Sequence, residues 1–351
     1  MSQGSKPAVL VTGGAGYIGA HTAKALDEGG FFPVVYDSLS SGFREAVRWG
    51  VLVEGDIRDA GGLGAAMDAY DVGAVIHFAG LIEVGRSFVT PDLFWNVNVT
   101  GTQVLLDVMR PRQIGRLVFS SSAAVYGDSG RGVLEAIAED APKAPASPYG
   151  DTKLAAEALI EAECRDQGLC GVALRYFNAA GADPSGLIGE AHEPETHLIP
   201  LAIAAALGRA GPLTVFGDDF ATPDGTCLRD YIHVNDLAAA HVAALRADLP
   251  PGSFEALNLG AGLGRSVLEV VEAVARAAGR PVPYSIGPRR SGDPASLVAD
   301  PARGAARLGW RAAKPDLEEI VTDALRWALG PAYGEGRKEA PAQAAADPNR
   351  G

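Results

Sequence analysis

Cysteine is scarce in this chain. Among 351 residues there are three, Cys164, Cys170 and Cys227, and no two are spaced as CxxC. An odd, sparse set sets aside a disulfide framework and points to reduced thiols in a cytoplasmic protein. No apolar run is long enough to span a bilayer, so no membrane association is expected. The opening "MSQGSKPAVLVTGG" lacks a basic stretch leading into a long apolar segment, so no signal peptide is expected. Positive charge is in short supply: 30 Lys and Arg stand against 43 Asp and Glu, a net charge of −13. That argues against broad nucleic-acid binding. The acidity suits a solvated surface and leaves open a local pocket for an anionic ligand. No internal repeat is visible.

Glycine is plentiful, at 44 residues, and apolar residues make up 47%. These values suit a globular α/β protein with many tight βα turns, and the length allows one large or two modest domains. The runs "AVLVTG", "FPVVYD", "VLVEGD", "AVIHFAG", "GRLVFSS" and "VALRYFN" read as strands, with helix-like pieces such as "GAHTAKALDEGG" between them. Short β-rich runs alternating with helices predict a doubly wound parallel sheet covered on both faces. After about residue 180 the pattern loosens. "GADPSGLIGEAHEPETH" reads as loop and "LIPLAIAAALGRAG" as helix. The stretch from "LTVF" to "AALRA" reads as a strand, a long loop and a helix, and "ALNLGAG" as one more sheet strand. The expected division is a dinucleotide-binding unit at 7–180, with contributions from about 231–262, and a smaller interleaved α/β unit at 181–230 and 263–333. The tail 334–351 is polar and Ala/Pro-rich, and is expected to be disordered.

"VTGGAGYIG" places Gly13, Gly16 and Gly19 three apart between a strand and a helix. Backbone amides at a helix N-terminus, with no Cβ in the way, let a pyrophosphate approach closely, and Tyr17 and Ile18 sit in the same turn. The pattern is GxxGxxG, and a plain tight turn also favours glycine. Asp37 ends the second strand, where a carboxylate accepts ribose hydroxyls and repels a 2′-phosphate, so NAD is expected over NADP. In "GDIRD", Asp56 and Ile57 are placed to flank an adenine. In "HFAG", Phe78, Ala79 and Gly80 lie where the backbone runs close to a cofactor, and His77 reads as a packed core residue.

Tyr149 and Lys153 are four apart and share a helix face, with Ser147 and Pro148 suited to the N-cap and first position. A tyrosine in the first turn, near an ammonium, the helix end and an oxidised nicotinamide, is favoured as phenolate and suits a general base. Ser122, ending the fifth strand, suits a donor or relay to the substrate oxygen. The alternative is ordinary packing for Tyr149 and a solvated Lys153.

These residues resemble the extended short-chain dehydrogenase/reductase superfamily and, within it, the UDP-glucose 4-epimerases. The similarity runs from about Ala8 to Trp327 through "VFSSSAAVYG", "SPYGDTK", "LRYFNAAGADPSG" and "TVFGDDFATPDGTCLRDYIHVNDLA". The resemblance implies a Rossmann-type fold, a tightly held NAD, a UDP-sugar substrate and a homodimer built through helices after the fourth and fifth strands. It implies that Tyr149 takes the proton of the sugar 4-hydroxyl, while Lys153 holds the nicotinamide ribose and lowers the Tyr149 pKa. Asn98 and Phe177 match cofactor-side residues. Asn178, Leu198, Phe216, Arg229, Tyr231, Val267, Arg290 and Asp293 match residues around the nucleotide and sugar, the arginines clamping the diphosphate.

Three positions depart from the familiar pattern: Ile82 for a cofactor-contacting lysine, His197 for an asparagine, and Leu297 for a bulky tyrosine. The last leaves room for N-acetylated sugars, or for a UDP-pentose as main substrate. The related 4,6-dehydratases need an acid pair directly after the serine, where this chain has Ala123 and Ala124. A non-catalytic NAD sensor is expected to lose Tyr149 or Lys153, and both are present. No metal is expected.

Overall fold

The computed structural model describes residues 6–127, 135–290 and 293–330; the tail expected to be disordered lies outside them. The first half alternates strand and helix: β1 (Ala8–Thr12), α1 (Tyr17–Glu28), β2 (Phe32–Asp37), β3 (Val51–Glu54), α2 (Ala60–Ala69) and β4 (Val72–His77). Two short helices, α3 (Val84–Val89) and α4 (Pro91–Phe94), lead through a π-helical stretch (Trp95–Thr100) to α5 (Gly101–Met109) and β5 (Arg116–Ser122). Then come α6 (Pro148–Gln167) and β6 (Cys170–Tyr176). The second half holds β7 (Asn178–Ala180), α7 (Leu198–Ala206), β8 (Leu213–Phe216), β9 (Leu228–His233), α8 (Val234–Arg246) and β10 (Phe254–Leu259). It ends with β11 (Gly264–Ser266), α9 (Val267–Ala278), β12 (Tyr284–Gly287), β13 (Ser296–Leu297), α10 (Ala302–Leu308) and α11 (Leu317–Leu329).

Seven strands form a parallel sheet in the order β10-β6-β5-β4-β1-β2-β3. All five residues of β1 are buried, as a strand covered on both faces requires. One face packs Leu10, Val34, Leu105, Leu117 and Ile160 beneath α2, α5 and α6. The other packs Val9, Val11, Val118 and Leu237 beneath α1 and α8. Strand order reverses between β1 and β4, so their following loops diverge and leave a crevice at the strand carboxyl ends.

A second core joins Ile199 and Ile203 of α7, Val270 and Val274 of α9, and Ile320 and Val321 of α11. Beside it a small mixed sheet runs β11-β9-β13, with β7 also on β9. From β9 the chain passes through α8, which packs on α1, into β10 of the large sheet. The sequence predicts a long loop between the "LTVF" strand and the following helix; the structure forms β9 within it, paired with β11, β7 and β13. The fold accommodates Asp230 by giving its carboxylate three backbone donors, from Ala261, Gly262 and Ala299. Burial still pushes that carboxyl up to about 6.

Candidate active site

The glycine turn after β1 is tight for a geometric reason. Gly13 has φ +69°, and a Cβ there would lie 2.6 Å from the Ala79 nitrogen. A Cβ on Gly19 would lie 2.4 Å from the Gly13 carbonyl oxygen. The loops after β1 and β4 therefore close on each other without side chains, leaving the α1 N-terminus bare at Gly16. Asp37, buried at the end of β2, accepts from Ala15 N (2.9 Å) and Leu39 N (2.8 Å), one bond to each carboxylate oxygen. Burial raises its pKa and these two bonds draw it back. Each oxygen keeps a lone pair for a ribose hydroxyl. A bare helix N-terminus beside a carboxylate at a topological switch point fits a dinucleotide.

His77 is a core residue, as the sequence reading expected. Thr102 donates to the Asn98 carbonyl, so it accepts from His77 Nε2, leaving Nδ1 to accept from Thr12. Burial pushes the imidazole down to about 3, and the nearby Lys153 charge adds to the shift.

Other expected cofactor residues find partners within the protein. Asn98 is buried; its Oδ1 accepts from Leu81 N (2.7 Å), and its Nδ2 donates to Leu81 O and Thr152 Oγ1, both at 3.0 Å. Both amide hydrogens are spent bracing the Leu81 loop against α6. Asp56 is drawn into a bidentate pair with Arg58, which also donates to Asn96. Ile57 is buried and lies against Gly101 of α5. Phe78 stacks near the His241 ring, at 4.6 Å between centres. Tyr17 donates to the Gly181 carbonyl and Ile18 packs beneath the sheet. Gly80 faces Asn98 and the Lys153 ammonium, and Ile82 is exposed.

The start of α6 is built as the sequence predicts: Ser147 caps it by accepting from Gly150 N (3.2 Å), and Pro148 follows. Tyr149, Lys153 and Glu157 then lie on one face. Ser122 Oγ accepts from Ala124 N (3.1 Å), which leaves its hydrogen for Tyr149, with which it shares a hydrogen bond. Burial pushes the Tyr149 phenol up and the Ser122 bond only partly offsets it. The sequence reading expected a lowered phenol; the protein's own groups raise it, because desolvation outweighs one hydrogen bond. Burial lowers Lys153 to about 8 against the opposing charge of Glu157, and its Nζ donates to the Ser120 carbonyl.

Behind this site lies a buried polar network that the sequence reading missed. Glu157 takes a bidentate pair from Arg175 (2.6 and 2.8 Å) and a hydrogen bond from Ser121. Arg175 also donates to Tyr126, and Tyr126 to Asn258. The i, i+4 spacing of Tyr149, Lys153 and Glu157 was the available signal.

The expected nucleotide residues are spread over the small sheet (Asn178, Arg229, Tyr231), a separate β8–β12 strand pair that holds Phe216, and the starts of α7 and α9. The Arg290 guanidinium lies 3.9 Å above the Phe216 ring. Arg229 donates to the Leu228 and Pro294 carbonyls and pairs with Asp293 at 3.4 Å. Asn178 pairs in register with the buried Tyr231, and Leu297 with Arg229. Val267 begins α9 and donates to Thr226 Oγ1. Leu198 begins α7 on the second core. Leu297 and Phe177 pack against the apolar cluster of Ala123, Val125, Tyr126, Ile137 and Ala141, which follows Ser122. His197 precedes α7 without capping it and turns to Glu190 and Glu195.

Residues 9–260 match the family model described as the NAD dependent epimerase/dehydratase family. The chain is 47% identical to the UDP-glucose 4-epimerase of Halalkalibacterium halodurans over 323 residues, covering 91% of this chain and 95% of the relative. It is 48% identical to that of Rhizobium meliloti, covering 91% of this chain and 96% of the relative. The crystal structure of UDP-glucose 4-epimerase from Brucella ovis in complex with NAD superposes with a TM-score of 0.87 at 49% identity, covering 92% of this chain and 99% of that one. The chain belongs to the NAD dependent epimerase/dehydratase family, among the UDP-glucose 4-epimerases.

Proposed function

We propose that this chain interconverts UDP-glucose and UDP-galactose by oxidising the sugar at C4, turning the 4-ketose about its diphosphate link, and reducing its opposite face. The observation that carries this reading is the hydrogen bond between Ser122 and Tyr149 beside the buried Lys153. NAD, when bound, supplies a hydride acceptor and donor whose oxidised ring is positively charged. Gly13, Gly16, Gly19 and Asp37 would hold its pyrophosphate and ribose, with Tyr17, Ile18, Phe78, Ala79, Gly80 and Phe177 alongside.

Tyr149 takes the 4-hydroxyl proton and later returns it, and Ser122 orients that oxygen and relays the proton. Lys153 keeps an ammonium against the ribose at neutral pH. Arg229 and Arg290 neutralise the diphosphate, guanidinium forks matching phosphate oxygens. Phe216 packs the uracil, Asp293 holds a ribose hydroxyl, and Asn178, Leu198, Tyr231 and Val267 line the same pocket. The sheet domain thus holds the cofactor and the second core the nucleotide. Elimination of water needs an acid after Ser122. Ala123 is instead buried among Val125, Tyr126 and Ile137, which removes the dehydratase route.

A UDP-pentose is the second reading, favoured by one neighbour. The UDP-glucose 4-epimerase structure from Stenotrophomonas maltophila, 41% identical, holds NAD and formylated UDP-arabinopyranose.

The same reading includes a homodimer. Phe88 and Val89 on α3 are 60% and 78% exposed, and Trp95 after α4 is 43% exposed, forming an apolar face beside α6 that a second copy would cover. It also includes a cytoplasmic setting, supported by three free, buried cysteines; among the described residues no helix is long and apolar enough to cross a membrane.

The test is conversion of UDP-galactose to UDP-glucose by purified protein with no added cofactor, followed by NMR of the anomeric protons, with UDP-N-acetylgalactosamine and UDP-arabinose in parallel. Turnover of none of the three would refute the reading. Turnover of the pentose alone would move it to the second.

A further inference from the structure

The segment entering α7 reads "EAHEPETH" from Glu190 to His197. Glu190, His192, Glu195 and His197 each offer one ligand atom here, and the four atoms lie within 4.8 Å of one another. His197 Nδ1 is 2.8 Å from Glu190 Oε1 and 2.8 Å from Glu195 Oε1. His192 Nδ1 is closed off from solvent and reaches Glu190 Oε1 only across 3.4 Å, a long contact. Such a long contact satisfies a shielded ring nitrogen poorly, and a cation between it and Glu190 would serve both groups.

We propose that these four residues bind a divalent metal ion of the zinc class. Two imidazole nitrogens and two carboxylate oxygens suit four-coordinate zinc, whereas calcium and magnesium prefer oxygen alone. Bonds of about 2.1 Å at tetrahedral angles separate neighbouring ligand atoms by about 3.4 Å, close to the spacing already present. The charges also balance. The N-terminus of α7 repels a cation, and two carboxylates are enough to outweigh it and neutralise a divalent ion.

The support behind the cluster is rigid. Glu190 is buried, and its carbonyl accepts from Trp327 Nε1 of α11 at 2.8 Å. A Cβ on the neighbouring Gly189 would lie 2.3 Å from the Trp327 ring, so this stretch is pressed against α11. His197 sits directly before Leu198, so a bound ion ties the 190–197 loop to the start of α7. None of the four residues is assigned a step in the reaction proposed above, although His197 directly precedes Leu198 of the nucleotide pocket.

The rest of the chain makes the experiment clean. Of six histidines, His21, His77, His233 and His241 are at most 1% exposed, and all three cysteines are buried. Only His192 and His197 offer imidazole to a metal in solution. Tag-free, chelator-treated full-length protein is titrated with Co²⁺, followed by its visible d–d absorption, and with Zn²⁺ by calorimetry, for wild type, His192→Gln and Glu195→Gln. The expected result is one saturable ion per wild-type chain with an intense tetrahedral-type cobalt band. At least a tenfold weakening is expected in each variant, with melting in chelator unchanged. No saturable binding by wild type would overturn the proposal, and so would His192→Gln and Glu195→Gln both binding as tightly as wild type.

Discussion

Lys153 donates from Nζ to the Ser120 carbonyl across 2.8 Å, two residues before Ser122 on the same strand. The ammonium is thereby anchored by the sheet itself, 5.9 Å from the centre of the Tyr149 ring. The phenol oxygen is left to Ser122. One strand end thus holds both partners of the tyrosine, the lysine through a backbone carbonyl and the serine through its side chain. Near neutral pH the lysine remains mostly cationic, since burial lowers it only to about 8.

Replacing Tyr149 with Phe keeps the buried ring and removes the proton acceptor. Turnover of UDP-galactose is expected to fall about 10²–10⁴-fold, the usual contribution of a general base. Cofactor content is expected to stay at the wild-type level, because the glycine turn and Asp37 are untouched. Steady-state rates and chromatography of acid-released NAD check both halves, and an active Phe variant would end the assignment.

Lys153→Met tests the electrostatics. Burial raises the Tyr149 phenol, and removing a nearby cation makes its ionisation harder still. The acid limb of the kcat profile is expected to move to higher pH in the variant. In wild type the alkaline limb is expected to fall as pH rises through about 8, as Lys153 loses its proton. A variant whose acid limb coincides with that of wild type would remove Lys153 from this role.

The large sheet was legible because its strands are buried on both faces and read as short apolar runs. The α6 start was legible because Ser147, Pro148, Tyr149 and Lys153 act locally, within two turns. What stayed hidden depends on partners distant in sequence. Asn98 looks free to meet a cofactor until the fold brings Leu81 and Thr152 against it. Asp230 looks like a loop residue until β7, β11 and β13 pair with β9 and Ala261, Gly262 and Ala299 supply donors to its carboxylate. The pairing of Glu157 with Arg175, 18 residues away, is set by β6 lying beside β5 beneath α6. Glu190, His192, Glu195 and His197 read as a charged loop, and only the backbone path brings their ligand atoms together.

Asp37 accepts backbone hydrogen bonds through both oxygens and so shapes the glycine turn, besides its proposed role at the ribose. Asp37→Asn removes the charge and replaces one acceptor with a donor. NAD affinity is expected to drop about 10- to 100-fold, matching the worth of a charged hydrogen bond. NADP is expected to bind measurably, because repulsion of its 2′-phosphate is relieved. Reconstitution of cofactor-stripped protein with each dinucleotide, followed by cofactor quantitation, reads both effects. Retained NAD preference in the variant would place discrimination elsewhere.

The Arg175–Glu157 pair is 2% and 4% exposed at its side chains, so removing one partner strands a buried charge. Arg175→Met is expected to cost about 3–5 kcal/mol in urea unfolding. Combining it with Glu157→Leu is expected to recover much of that loss, because the stranded carboxylate is gone. kcat is expected to fall in the single variant, since Glu157 also holds Ser121 beside Ser122. A double variant no more stable than Arg175→Met would show that the cost comes from packing rather than from charge.

Leu297 sits where the two halves of the site meet. It pairs in register with Arg229 and packs in the apolar cluster with Ala123 and Phe177. On the proposed reading the sugar turns between Arg229 and the Ser122 turn, and a larger side chain at Leu297 would intrude there. Leu297→Tyr is expected to lower kcat/KM for UDP-N-acetylgalactosamine about tenfold or more relative to UDP-galactose, since the acetamido group needs volume that the hexose does not. Losses of this size follow from small changes in pocket volume. Rates on both substrates with one enzyme preparation decide it: a parallel fall on both would mean that Leu297 supports the fold of the junction without reading the sugar.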